Sequence, residues 1–139
     1  MKVGKYYITL FLSILMLCCS SENGCNIDGI YVGQALKTSA NASKIDYCTE
    51  LENALDGNKS SFYKLATHLP GGATNYDHGI VLIQLMCRLK DEDIYEMFLN
   101  LSTQDKELLD ALVSVGIEYG NNDLNCKKIE AYKSMLSET

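Results

Sequence analysis

From Ser43 to Leu136 the apolar residues of this chain return every three or four positions, a spacing that helices satisfy and strands do not. Ile45, Cys48, Leu51 and Leu55 make one stripe, with Ser43 placed to cap it. Asp56-Gly57-Asn58 stops it, Gly57 suiting the left-handed position after a helix. Phe62, Leu65, Ala66 and Leu69 make a second stripe from about Ser60, broken by Pro70-Gly71-Gly72. A third helix, capped by Thr74, Asn75 or Asp77 and reaching Leu89, is apolar on nearly every side: Ile80, Val81, Leu82, Ile83, Leu85, Met86 and Cys87. A helix apolar all round is a buried one, so this is the expected centre. Asp91-Glu92-Asp93 opens the next helix, where carboxylates favour the dipole, with Ile94, Tyr95, Phe98 and Leu101 inward. Ser102-Thr103 starts another, carrying Leu108, Leu109, Leu112, Val113, Gly116 and Ile117, and Gly120-Asn121-Asn122 ends it. The last runs from about Leu124 to Leu136 through Ile129 and Tyr132. Ahead of them all, Ile27, Ile30, Tyr31 and Leu36 suggest a first helix weakened by Gly29 and Gly33, and no strong strand or hairpin signal competes. The expected fold is all-α, a single compact domain of six to seven short helices with antiparallel neighbours.

The first nineteen residues follow a different logic. Lys2 and Lys5 precede the apolar run Tyr6 to Leu17, which exits at Cys18-Cys19-Ser20-Ser21. A charged start, a short apolar stretch and small residues at the exit are the layout of an export signal. A membrane span needs about 20 apolar residues, and this run is shorter and contains Thr9 and Ser13. The run Ile80 to Cys87 is interrupted by Gln84 and followed by Arg88 and Lys90. The expected organisation is a leader over 1–19, a short tether over 20–25 and a helical domain over 26–139. The roughly 120 residues after the leader suffice for one core.

The end of the leader resembles the lipobox of bacterial lipoproteins. There a Leu-like residue three places upstream and a small residue one place upstream precede the cysteine that becomes lipidated. Cys19 has Met16 and the small Cys18 in those slots, whereas Cys18 would have Leu15 and the larger Leu17. The resemblance implies a lipid anchor on Cys19, holding the protein in the periplasm or at the outer membrane. Each buried methylene of such an anchor contributes about 0.8 kcal/mol. Ordinary cleavage after Cys19 or Ser20 would give a secreted protein instead.

Both routes leave four cysteines, Cys25, Cys48, Cys87 and Cys126, an even number suited to an oxidising compartment. None forms a Cys-x-x-Cys pair, which argues against a redox motif or a zinc ribbon. Disulfides are therefore expected. Three connectivities are open; Cys48 and Cys87 both fall on apolar stripes and could meet in the core, in which case Cys25 with Cys126 would tie the two ends. The even spacing of 39 residues from Cys48 to Cys87 to Cys126 invites a repeat, but the apolar positions that follow each cysteine do not align.

Without Lys2 and Lys5 the twelve basic residues fall to ten, against eighteen acidic, a net charge of −8 with Arg88 the only arginine. That balance argues against nucleic acid, which demands clustered Lys and Arg. It is compatible with a basic protein partner. Asp91, Glu92, Asp93 and Glu96, continued by Asp105, Glu107, Asp110 and Glu118, fall on consecutive helices and are the expected docking surface. They lack the ligand spacing of a calcium loop.

Chemistry is harder to place. His68 and His78 are the only histidines. Asp77 beside His78 suggests an acid–base pair, but adjacent residues on a helix point different ways. No Gly-x-Ser-x-Gly or His-Glu-x-x-His motif is present. Gly71 to Gly79 is a candidate functional loop before the central helix, although Gly71-Gly72 without a lysine is no phosphate loop. No cofactor or metal is expected. The exported helical body, the acidic surface and the spread cysteines resemble small periplasmic or lipid-anchored immunity proteins, which neutralise toxins delivered by neighbouring bacteria. That resemblance implies a binding protein without catalytic residues of its own. The alternatives are a small exported enzyme using His78 and Asp77, and a secreted effector or structural lipoprotein.

Overall fold

The computed structural model describes residues 24–120 and 126–137. The leader with Cys19, the stop at Asn121-Asn122 and the expected helix start at Leu124 lie outside the described residues. The expected mostly helical fold is present, with seven helices among the described residues and one short hairpin ahead of them.

That hairpin replaces the first part of the helix expected from Asn26 onward. Strands β1 (Cys25–Ile27) and β2 (Ile30–Val32) pair antiparallel, Cys25 opposite Val32 and Ile27 opposite Ile30. Asp28 and Gly29 turn the chain with φ of 49° and 81°. Two consecutive positive φ angles over an Asp-Gly pair are the two-residue turn whose twist matches that of the strands. Asn26 Oδ1 accepts from the Gly29 N–H at 2.9 Å. Ile30 and Val32 are buried and Tyr31 points outward, the period-two alternation of a strand. Cys25, expected in the tether, is the first residue of β1.

Helix α1 spans Gln34–Ala42 and buries Leu36 and Ala40. Ser43 closes it at the C-terminus instead of capping the next helix. That role belongs to Asp46, whose carboxylate accepts from the Thr49 N–H at the start of α2 (Tyr47–Leu55). Asn58 does the same for Ser61 in α3 (Lys59–Ala66). Gly71 and Gly72 both take positive φ. Thr74 and Asn75 bind Gly71, the hydroxyl donating to its carbonyl at 2.6 Å and the amide oxygen accepting from its N–H at 2.9 Å. They brace that turn rather than cap α4 (Thr74–Arg88), which has no side-chain cap. Helices α5 (Asp91–Leu99), α6 (Thr103–Tyr119) and α7 (Ile129–Ser137) follow. Ser102 caps α6 through the Asp105 N–H, and α7 begins after a turn at Lys127-Lys128.

As its composition predicts, α4 is central: it meets β2, α1, α2, α6 and α7, and its contact with α6 is the most extensive in the molecule. Gly79 and Gly116 make that closeness possible. A Cβ on Gly79 would collide with the Leu112 carbonyl oxygen and lie 2.9 Å from the Gly116 nitrogen. A Cβ on Gly116 would lie 2.8 Å from the Ile80 nitrogen. Around this crossing Leu82, Leu85, Met86, Leu109, Leu112 and Val113 are buried. Each such large side chain contributes about 1.5–3 kcal/mol relative to exposure.

The cysteines form two disulfides, and Cys48 does not meet Cys87. Cys25 bonds Cys48, with Cα atoms 6.3 Å apart, and Cys87 bonds Cys126, at 5.8 Å. Cys48 and Cys87 are each half-buried, Cys87 packed against the edge of the core. The packing of β1 on α2 brings Cys25 to Cys48. Loops of 23 and 39 residues contribute about 3 and about 4 kcal/mol by the chain-entropy argument. Such bonds persist in a non-reducing environment. Among the described residues no helix is long and apolar enough to cross a membrane.

Candidate interaction surface

The two histidines lie in the interior. His78 is fully buried on α4, and His68 is buried just after α3. His78 Nε2 is 3.1 Å from the Leu65 carbonyl oxygen, which can only accept, so Nε2 carries the proton. Nδ1 is then free to accept the Tyr47 hydroxyl proton at 2.6 Å. The rings of Tyr47 and His68 both stand edge-on to His78 at 5.5 Å between centroids. Burial, with His68 adding, pushes the pKa of His78 down to about 4. Burial also lowers that of His68 and raises that of Tyr47 well above the usual phenol range. A tyrosine 31 residues away in sequence thus supplies the donor for the interior acceptor Nδ1 of His78. His68 Nε2 is buried without a hydrogen-bond partner.

Asp77 and His78 do not form a pair. Asp77 lies on the exposed side of α4, while both ring nitrogens of His78 are occupied elsewhere. Among the described residues no group of three His, Cys, Asp or Glu side chains is placed to hold a metal.

The acidic residues of α5 divide into two kinds. Asp91 is held by Lys128 at 2.6 Å and accepts the Tyr132 hydroxyl at 2.9 Å. The Lys128 hydrogen bond, then that of Tyr132, keeps the Asp91 carboxyl below its ordinary range. Glu96 pairs with Lys59 at 2.6 Å. Glu92 and Asp93 have no ion pair or side-chain hydrogen bond among the described residues. On the same short helix Tyr95 and Leu99, one turn apart, are 54% and 63% exposed. Sequence placed Tyr95 inward; Met97 takes that place instead. Beside α5, a hollow of about 290 Å³ opens against α3, lined by Phe62, Tyr63, Met97 and Leu101 with Lys59 and Asn100 at its edge. By helical spacing unpaired Glu92 shares one side of α5 with exposed Tyr95 and Leu99, while unpaired Asp93 shares the other with Met97 and the apolar recess.

A second groove of about 290 Å³ lies between the hairpin and α4, lined by Gly29, Tyr31, Gly33, Asp77, Ile80 and Gln84. Sequence reasoning missed it because it read the hairpin as helix; the Asp28-Gly29 pair was the available signal. Comparison with protein-family models, with curated proteins and with solved structures finds no match.

Proposed function

We propose that this chain is an exported binding protein, anchored through Cys19, that docks a basic protein outside the cytosol by the α5 face, in the manner of an immunity protein or toxin inhibitor. The observation that carries the reading is the asymmetry of α5. Lysines of the chain itself neutralise Asp91 and Glu96, whereas Glu92 and Asp93 are left unpaired, Glu92 one turn from exposed Tyr95. Aromatic side chains next to unpaired charge favour a protein surface: the ring supplies contact area and the charges supply register.

The test is capture from the native host with full-length protein, wild type against Glu92→Lys with Asp93→Lys. The expected result is a basic partner held by wild type and lost by the reversal. Retention of every partner by the variant would refute the docking surface. Mass spectrometry of the mature N-terminus checks the anchor: a diacylated Cys19 supports it, and an unmodified start at Ser20 or Ser21 removes it.

A further inference from the structure

We infer that the groove between the hairpin and α4 receives a guanidinium side chain, an arginine presented by the protein partner; this deepens the binding-protein reading and rests on it. Three groups in the groove offer unspent recognition chemistry. Asp77 is exposed and has no ion pair or side-chain hydrogen bond among the described residues. Gln84, about two turns along α4, likewise commits its amide to no described partner. Tyr31 stands 64% exposed on the outward side of β2 and walls the groove with a phenol ring. A planar cation with forked N–H donors can meet a carboxylate through two parallel bonds and lie against an aromatic face, which a lysine ammonium does less well.

The backbone leaves room for that group. Gly33 lines the groove with no side chain, and a Cβ built there would come within 3.8 Å of Asp77 Oδ2. The φ of −65° at Gly33 is open to any residue, so the glycine is not required by the turn. Polarity fixes the direction of entry. Arg88 donates to the Asp28 carbonyl and approaches the Gly29 end. Eleven residues of helix, about 16 Å, separate it from Asp77. An incoming cation is repelled at the Arg88 end and held at the Asp77 end. The acidity of the chain as a whole steers the same charge inward.

The experiment is an amide-resolved NMR titration of the oxidised protein with N-acetyl-L-arginine amide at low salt. The expected result is saturable shifts at Gly29, Tyr31, Gly33, Asp77 and Gln84. The neutral N-acetyl-L-citrulline amide and the lysine analogue should bind more weakly, citrulline by about tenfold or more. Asp77→Asn should weaken arginine binding by about tenfold at unchanged thermal stability, since Asp77 is exposed. Gly33→Leu should abolish it by filling the groove while every charge stays in place. Shifts elsewhere, equal binding of citrulline or lysine, or an indifferent Asp77→Asn would overturn the inference. The two readings fail separately: a groove that ignores arginine while capture still depends on Glu92 and Asp93 refutes the groove alone. Capture that ignores Glu92 and Asp93 refutes the docking face.

Discussion

Acid should weaken this fold well before its carboxylates protonate, and His78 is the reason. Its ordinary pKa is 6.5 and burial pushes it down to about 4. The unfolded chain therefore takes up a proton at His78 between those limits while the folded chain does not. Stability is complete above pH 6.5, falls as pH drops, and has lost the full contribution once pH passes below 4. A shift of that size corresponds to about 3 kcal/mol, of which about 2 kcal/mol is gone by pH 5. The lowered pKa of His68 acts in the same direction. Glu50, Asp91 and Asp105, all with depressed pKa values, lose their contribution only at lower pH, from their ordinary 4.5 and 3.8 downward. The interval from pH 6.5 to 4.5 thus reports on the histidines. Urea unfolding at pH 7, 6, 5 and 4.5, wild type against His78→Asn, reads it out. The asparagine carbonyl preserves an acceptor for Tyr47 and loses the donor to Leu65, costing about 1–3 kcal/mol at pH 7. What matters is the slope. The variant should fall less steeply than wild type, keeping only the slope that His68 supplies; equal slopes would refute the argument.

The α4–α6 crossing makes a second prediction: Gly79→Ala should destabilise by about 3 kcal/mol, at the upper end for overpacking, because its methyl meets backbone that cannot yield. Chemical denaturation measures it, and a neutral result would mean that the helices stand further apart. Non-reducing peptide mapping should recover Cys25 with Cys48 and Cys87 with Cys126. Replacing both Cys87 and Cys126 by alanine should cost about 4 kcal/mol, slightly more than the shorter loop costs. Asp46→Ala should remove about 1 kcal/mol with the loss of its bond to the Thr49 N–H, visible as a lower thermal midpoint.

The elements that sequence makes legible are those whose apolar pattern is long. The run from Ile80 to Cys87 announces a central helix because seven of its eight residues are apolar and leave only the Gln84 side for solvent. The N-terminal hairpin is illegible by the same measure: three-residue strands carry one alternation, and Asp28-Gly29 reads equally as a weak spot in a helix. The disulfide pairing depends on β1 lying against α2, so it could not be read without the hairpin. The histidine cluster needs Tyr47, His68 and His78 to converge from three segments. On α5, the acidic set is plain in the sequence. That Lys128 and Lys59 quench two of its four carboxylates is visible only once α7 and α3 are in place.

The order of the sulfur bonds bears on how the polypeptide matures. The bridges are consecutive: Cys25 to Cys48, then Cys87 to Cys126, with neither loop enclosing the other. On the proposed export route, a thread crossing a membrane from its amino end would expose Cys25 and Cys48 before Cys87 emerged, and an oxidase joining thiols as they arrive would make the native set on the first attempt. A chain maturing that way would call for an electron acceptor on the far side and not for a reshuffling catalyst.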